Sequence, residues 1–216
     1  MSNKKVLIIQ DLACFGNSGL HVTESTLVSF GFEVAILPLK LKSTNNTFSN
    51  YTNISLIDEA NKIIDHFIEE HIKFDLILAS NIRKKEEFDI VKKCNDYLKE
   101  DNGILVVNPD FSENGKLYEG LDEDVIVKMM DLASISNYFI TNISCAALMT
   151  RNDFIEIQDD SYINNLLSSL VEMGVKNVIL TSVMDDESSF GVIAYDGLTK
   201  TTIIKEYQIV LTMRSR

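Results

Sequence analysis

The chain has 216 residues, of which 45% are hydrophobic, and a formal net charge of −12 at pH 7. This length and apolar content suit one α/β domain with a sizeable core. An acidic balance argues against a nucleic-acid partner, because phosphate binding needs a basic face, and no apolar run approaches the ~18 residues of a membrane span.

Short apolar runs alternate with segments of helical periodicity. In chain order the sequence predicts strands at residues 6–10 and 34–37, a helix at 54–71, a strand at 76–79, a helix at 88–98, strands at 104–107 and 138–140, a helix at 160–173 and a strand at 178–180. Apolar residues recur every three or four positions in the helices, as on one buried face. Two further strands, 191–195 and 201–208, flank a turn at Asp196-Gly197 and are expected to pair antiparallel.

This alternation predicts right-handed βαβ units. The expected fold is therefore α/β, with a mainly parallel central sheet, helices on both faces and short antiparallel strands at the C-terminal end. Ligands in such folds bind beyond the carboxyl ends of the strands. The stretch VVNPDFSENGKLYEGLD, residues 106–122, follows a buried-type strand with a polar, glycine-bearing loop and is a candidate for such a site.

The cysteines and the N-terminus bear on the compartment. Cys14, Cys94 and Cys145 lie far apart and form no CxxC pair, which favours reduced thiols in a cytoplasmic protein. The three histidines make no metal-type cluster. The first residues, MSNKKVLIIQD, hold only a short apolar run, so they predict a first strand and not a signal peptide.

Four segments together resemble the pyridoxal/pyridoxamine kinases of the ribokinase-like superfamily. The first is IQDLACFGNSGL, followed by a helix and EVAILPLKLKSTNN. The loop NPDFSENGKLYEGLDE is similar to the family's D-P-V-x-x-D/E-x-G-x-x-Y segment. NYFITNISCAALM stands where the family has I-x-P-N-x-x-E-A, and NVILTSV resembles its V-x-V/I-T-S/G strand end. They occur in family order over nearly the whole chain. The resemblance implies one ribokinase-like domain over residues 1–216.

The same resemblance implies an activity. It is the ATP-dependent transfer of a phosphoryl group to the 5′-hydroxymethyl of a vitamin B6 vitamer: pyridoxal, pyridoxamine or pyridoxine. Its cofactors would be ATP and Mg²⁺, and the protein would be a cytoplasmic homodimer. Kinases of hydroxymethylpyrimidine are close relatives that these motifs separate poorly. An unrelated nucleotide-binding α/β domain is disfavoured, because the sequence lacks both GxGxxG after the first strand and GxxxxGK[ST].

On the nucleotide side, the resemblance assigns a polar set of residues. Glu113 would be a carboxylate ligand of the cation, and Asn108 replaces an aspartate that faces the phosphates. Each residue has a structural alternative, such as a turn for Asn108 or packing for Tyr118. Cys145 replaces a metal-directing glutamate, and a thiol is a poor ligand for Mg²⁺, so a buried helix cysteine is the favoured interpretation. The full nucleotide set is Asn108, Glu113, Tyr118, Asn142, Thr181 and Ser182.

On the substrate side, the resemblance assigns Asp11, Ser43, Asn46 and Asn81. Asp11 would face the B6 ring. Asn46 stands where a threonine is expected, and Asn81 lies in ASNIR where the family has a T-G-Y-type strand end. Residues 16–18 would open the first helix, with an ordinary helix cap at Asn17 or Ser18 as the alternative.

The family's G-x-G-D segment has no counterpart in the sequence. Its glycines open a helix that binds the phosphoryl group, and its aspartate is the general base, so no catalytic residue can be assigned. Losing an oxyanion donor costs ~3 kcal/mol of barrier and losing a base ~10²–10⁴-fold in rate. We therefore expect an impaired enzyme, diverged and C-terminally truncated, or a non-catalytic ligand-binding or scaffolding protein on the same fold.

Overall fold

The computed structural model describes residues 4–16, 19–45, 47–184, 189–199 and 201–208. The chain forms two compact units, Met1–Pro109 and Asp110–Arg216. Asn17, Ser18, Asn46 and the last residues, 209–216, lie outside the described residues, so the expectations for them stay predictions.

The sheet of the first unit has the strand order β5-β4-β1-β2-β3. β1 is parallel to β2 and β4, β4 is parallel to β5, and only the short β3 pairs antiparallel, with β2. The strands are β1 Lys5–Phe15, β2 Glu33–Thr44, β3 Asn53–Ser55, β4 Phe74–Ser80 and β5 Lys99–Asn108.

The core of the first unit is centred on β1. Val6, Leu7, Ile8 and Ile9 are consecutive and each is 0% exposed. Consecutive burial is typical of a parallel strand whose sheet is covered on both faces. Three helices accompany this sheet: α1 Gly19–Ser29, α2 Ile57–Glu69 and α3 Lys85–Tyr97.

The second unit begins with a small hairpin. Its elements are β6 Ser112–Glu113, β7 Lys116–Leu117, α4 Asp124–Ile135, β8 Tyr138–Asn142, α5 Ile143–Thr150, α6 Asp160–Glu172, β9 Asn177–Val183, β10 Ser189–Asp196 and β11 Thr201–Gln208. β8 and β9 are parallel, while β10 pairs antiparallel with both β9 and β11.

The predicted fold class is confirmed, with a mainly parallel sheet, helices and short antiparallel strands at the C-terminal end. All eight predicted strands and all three predicted helices are present, although β1 and β2 extend well beyond their predicted ends. Within the described ranges, no helix combines the length and apolar character needed to cross a membrane.

Candidate functional site

A cavity of about 270 Å³ opens in the second unit. Four segments meet there: the β6–β7 hairpin, the start of α5, the loop before α6, and the end of β9 with the start of β10. The lining residues are Ser112, Glu113, Asn114, Tyr118, Asn142, Ile143, Ser144, Phe154, Glu156, Gln158, Ser182, Met184 and Phe190. The cavity thus contains Glu113, Tyr118, Asn142 and Ser182, four of the six residues expected on the nucleotide side.

The hairpin presents Glu113 at the cavity through a tight two-residue turn. Asn114 and Gly115 have φ values of 50° and 74°, and two positive values in sequence are what the favoured type I′ hairpin turn requires. A Cβ atom on Gly115 would lie 2.5 Å from Cβ of Phe154. Glycine therefore serves the turn and also lets the hairpin approach Phe154 closely.

Buried hydroxyl groups attach this hairpin to α5. The Ser144 Oγ accepts a hydrogen bond from the Gly115 N–H at 2.8 Å and lies 2.9 Å from the Ser112 Oγ. The Ser112 hydroxyl donates to Sγ of Cys145 at 3.2 Å. Ser112 and Ser144 are both buried, so their hydroxyl groups satisfy one another and the turn without water.

Asn142 is the N-cap of α5. Its Oδ1 accepts from the Cys145 N–H at 2.7 Å, and its Nδ2 donates to the Ser112 carbonyl at 3.4 Å. Such a cap satisfies a backbone donor that the helix leaves unpaired. Asn142 thus supports the hairpin and the helix while also lining the cavity.

Cys145 is fully buried, at 0% exposure. Burial raises the pKa of its thiol, and the hydrogen bond from Ser112 only partly opposes that shift. A protonated, enclosed thiol offers no ligand to a hard cation. The interpretation of Cys145 as a buried helix cysteine is confirmed.

β9 contains a bulge at the cavity. Its register with β10 shifts between Gly191 and Ile193, so that Thr181 and Ser182 together face Val192. Ser182 adopts φ 58°, a left-handed conformation that is uncommon outside glycine and often marks functional sites. Thr181 does not line the cavity; its hydroxyl donates to the Thr141 carbonyl at 3.3 Å.

Tyr118 also has an internal partner. Its hydroxyl donates to Oδ1 of Asp110 at 2.7 Å, and its side chain is half-buried. It lines the cavity beside Glu113, which is exposed. Tyr118 therefore packs against its own unit and also lines the cavity, while its expected contact with the nucleotide stays a prediction.

The first unit contains Asp11, which lies in a buried charge cluster. Lys42 Nζ is 2.7 Å and Lys40 Nζ is 3.8 Å from its carboxylate. Lys40 also contacts Oε1 of Glu87 at 2.5 Å, and the other Glu87 oxygen accepts from the backbone N–H groups of Arg83 and Lys84. Asp11 is thus neutralised by lysines of the neighbouring strand β2.

The other expected residues of this unit lie at strand ends or on strands. Asn108 ends β5 opposite Ser80, and Asn81 follows β4 with φ 58°. The Ser43 hydroxyl accepts from the Thr52 N–H at 3.0 Å. Asn108 and Asn81 follow the pattern of polar residues at carboxyl strand ends, whereas Ser43 supports a local loop.

Sequence reasoning missed much of the cavity wall. The cavity is also lined by Phe154, Glu156, Gln158 and Met184. Most of these were missed because residues 151–158 carry no recognisable motif. The Asn114-Gly115 pair is a hairpin signal that could have defined the β6–β7 turn.

The cavity offers oxygen atoms as cation ligands. Glu113 and Glu156 supply carboxylates, and Asn and Ser side chains supply neutral oxygens. These are donors that Mg²⁺ takes, usually together with water and phosphate oxygens. Over the described ranges, no cluster of three or more His, Cys, Asp or Glu is arranged to hold a metal without such help. The donor set therefore fits a cation shared with a ligand.

The mainly parallel α/β sheet has the ribokinase-like fold, as comparison with known proteins shows. No family model matches the chain. The curated pyridoxal kinase of Dictyostelium discoideum is 27% identical over 190 residues, covering 84% of this chain and 61% of that protein. The chain therefore spans about three fifths of the length of this relative.

Solved structures share the fold. A protein assigned as a phosphomethylpyrimidine kinase from Bacteroides thetaiotaomicron superimposes with a TM-score of 0.91 at 23% identity, over 98% of this chain and 73% of that one. Pyridoxal kinase from Lactobacillus plantarum gives 0.84 at 20% identity, over 97% and 74%. The Staphylococcus aureus pyridoxal kinase with AMP-PCP gives 0.78 at 14% identity, over 96% and 73%. The ribokinase-like fold is confirmed, and the chain is similar to pyridoxal kinases in sequence and in fold.

Proposed function

We propose that the chain acts as an ATP-dependent kinase that phosphorylates the 5′-hydroxymethyl of a B6 vitamer. The observation that carries the proposal is the cavity of the second unit, because it gathers Glu113, Tyr118, Asn142 and Ser182. Those are positions at which the resemblance expects the nucleotide. The nucleotide complex of the Staphylococcus aureus pyridoxal kinase, which shares this fold, also supports it.

The cavity residues would have distinct roles toward Mg·ATP. Glu113 is the proposed cation ligand, and the Ser182 hydroxyl and Asn142 amide are proposed neighbours of the phosphates. None of the described lining residues is Lys, Arg or His. The cation would therefore have to balance the phosphate charge that Glu113 and Glu156 repel, since phosphoryl transfer depends on that neutralisation.

The remaining assignments rest on the resemblance. Asn108 and Thr181 are proposed nucleotide residues, and Asp11, Ser43, Asn46 and Asn81 are proposed substrate residues. Toward the substrate, Asp11 would act together with Lys42, because the two side chains form one ion pair. No residue is proposed as the general base.

Calorimetry tests the nucleotide half of this proposal. Mg·AMP-PCP should bind the protein, and Glu113→Gln should weaken binding by about tenfold or more, the cost of a lost charged contact. Glu119→Gln is the matched control, since Glu119 is an exposed acid that does not line the cavity. Wild-type protein that binds no Mg·AMP-PCP would refute the proposal.

A phosphotransfer assay tests the substrate half. Pyridoxal and hydroxymethylpyrimidine should be supplied separately with Mg·ATP, and phosphorylated product measured by chromatography. We expect product from pyridoxal. Product from the pyrimidine alone would assign the chain to the related kinase activity, a possibility favoured by the TM-score of 0.91 to the Bacteroides protein.

A non-catalytic ligand-binding or scaffolding role is the second candidate. It is favoured by Cys145, whose buried thiol stands where the resemblance expects a metal-directing carboxylate. Binding of Mg·AMP-PCP and pyridoxal without any product would support this role over the kinase.

We also propose, from the resemblance, a cytoplasmic homodimer in which residues 1–216 act as one domain. The three free cysteines suit a reducing compartment. Light scattering of the purified protein would give the mass of a dimer, and one cooperative unfolding transition would support a single domain. A monomeric mass or two separate transitions would contradict the corresponding point.

A further inference from the structure

We infer that Gln158 is a positioning residue for the cavity of the second unit, and that ligand affinity depends on the position its amide imposes on two of the cavity walls. One wall is the loop of residues 152–158, and the other is the end of β9. The identity of the ligand, Mg-bound nucleotide, rests on the proposed function.

Every polar atom of the Gln158 side chain is used. Its Nε2 donates to the carbonyls of Ile155 at 2.6 Å and Glu156 at 2.5 Å. Its Oε1 accepts from the Met184 N–H at 2.7 Å, and the Gln158 N–H donates to the Met184 carbonyl at 2.8 Å. The residue is 4% exposed, so water does not replace these bonds when they are lost.

The two halves of the amide act on different walls. The donor half folds the loop that carries Phe154 and Glu156, both of which line the cavity. The acceptor half fixes Met184, two residues beyond Ser182 and its left-handed conformation. A bulge needs such support on its far side, because surrounding structure must hold a conformation that is unfavourable by itself. One side chain thus sets the distance between Glu156 and Ser182.

Two variants distinguish the donor half of the Gln158 amide from its acceptor half. Gln158→Met removes both at similar length and volume. Gln158→Glu keeps an acceptor for the Met184 N–H but places an oxygen against the carbonyls of Ile155 and Glu156. Asn177→Ala is the matched control: the Asn177 amide donates to the Asn137 carbonyl at 2.7 Å, at the opposite end of β9 and away from the cavity.

Hydrogen–deuterium exchange reports the position of the walls without any ligand. Gln158→Met should accelerate exchange of the Met184 amide and of the amides of residues 154–158. Gln158→Glu should accelerate exchange of the loop amides only. Asn177→Ala should leave both regions protected. Unchanged exchange in Gln158→Met would overturn the inference.

Titration with Mg·AMP-PCP reports the functional consequence. Gln158→Met should bind Mg·AMP-PCP about tenfold or more weakly than the wild type, as expected when contact groups shift by a fraction of an ångström. Asn177→Ala should bind as tightly as the wild type, even if the two variants have the same lowered melting temperature. Equal affinity of Gln158→Met and wild type would also overturn the inference. If the wild type itself binds no Mg·AMP-PCP, the proposed function fails, and the exchange measurement alone decides the role of Gln158.

Discussion

Ser182 combines an unfavourable backbone conformation with a place in the cavity wall. A left-handed φ of 58° costs a serine roughly 1 kcal/mol or more, and the bulge in β9 maintains it. Where function needs such a conformation, a residue that relieves the strain improves stability at the expense of binding. The hydroxyl and the backbone can be examined separately, because alanine removes only the hydroxyl, whereas glycine removes the hydroxyl and also relieves the backbone strain.

Ser182→Gly should therefore raise the free energy of unfolding by up to ~1 kcal/mol, while Ser182→Ala should leave it nearly unchanged. Both should weaken Mg·AMP-PCP binding by about tenfold, since each lacks the hydroxyl hydrogen bond. Urea unfolding and calorimetry measure the two effects. Full affinity in Ser182→Ala would mean that the hydroxyl does not contact the ligand.

The three thiols should differ sharply in reactivity. Cys14 is exposed, whereas Cys94 and Cys145 are buried, and burial raises the pKa of the Cys94 thiol to about 12. At pH 8 a disulfide reagent should modify one thiol rapidly in the native protein and three after denaturation, because only thiolates react. Cys14→Ser should abolish the fast phase. A fast phase of two or three thiols would contradict the burial of Cys94, of Cys145 or of both.

The raised pKa of Cys94 also makes stability depend on pH. Its folded pKa of about 12 exceeds the ordinary value of 9.0, so the folded state holds the proton more tightly. This contribution is complete below pH 9 and is lost as the pH rises from 9 toward 12, because the unfolded chain ionises first. Urea unfolding should show a decline over that range that is shallower in Cys94→Ala than in the wild type. Equal slopes of unfolding free energy against pH in the two proteins would contradict a contribution from Cys94.

Asp11 lies in a largely buried ion pair with Lys42. Its side chain is 9% exposed and that of Lys42 is 10% exposed. Asp11→Asn should lower the free energy of unfolding by ~3 kcal/mol, because the buried Lys42 loses the carboxylate that lies 2.7 Å from its Nζ. Glu59→Gln, in a pair with side chains 56% and 77% exposed, should change it by less than ~1 kcal/mol. Similar effects of both, measured by urea unfolding, would mean that the cluster is open to water.

At the scale of elements, the turn of the β6–β7 hairpin and its close contact with Phe154 both require glycine at position 115. Gly115→Ala would meet the strain of φ 74° and a contact of 2.5 Å to Phe154. Gly120 has a similar φ of 80° but nothing within 4 Å, so Gly120→Ala pays the backbone strain alone. We expect Gly115→Ala to be less stable than Gly120→Ala by ~1–3 kcal/mol in urea unfolding. Equal losses would mean that Phe154 moves aside freely.

The strands β1 and β2 show what periodicity could and could not predict. The apolar runs at residues 6–10 and 34–37 gave the buried centres of both strands, but β1 continues to Phe15 and β2 to Thr44. The extensions carry the charged residues Asp11, Lys40 and Lys42, which a search for apolar runs does not include in a strand. They remain in the sheet because their charges pair across adjacent strands, and such pairing is invisible in either strand by itself.

At the scale of the whole molecule, strand–helix alternation was sufficient to predict the fold class, because each apolar run needs a helix to cover it. The cavity was predictable only where motif residues such as Glu113 and Asn142 line it. Gln158 carried no signal, since its role arises from hydrogen bonds to Met184, far along the chain. A glutamine in a loop looks the same in sequence whether it is solvated or holds two walls together.

The net charge of −12 should govern how fast a nucleotide reaches the protein. Mg·AMP-PCP carries negative charge, and none of the described residues lining the cavity is basic. The field of the protein therefore repels the ligand over about a Debye length, ~30 Å at 0.01 M salt and ~8 Å at 0.15 M. Raising salt from 0.01 to 0.15 M should increase the association rate constant by about twofold or more, as measured by stopped-flow fluorescence with a labelled nucleotide. A neutral nucleoside probe is the control and should show no salt dependence. A rate that falls with salt would reveal attraction by a local positive potential and would contradict the assignment of an acidic cavity as the nucleotide entrance.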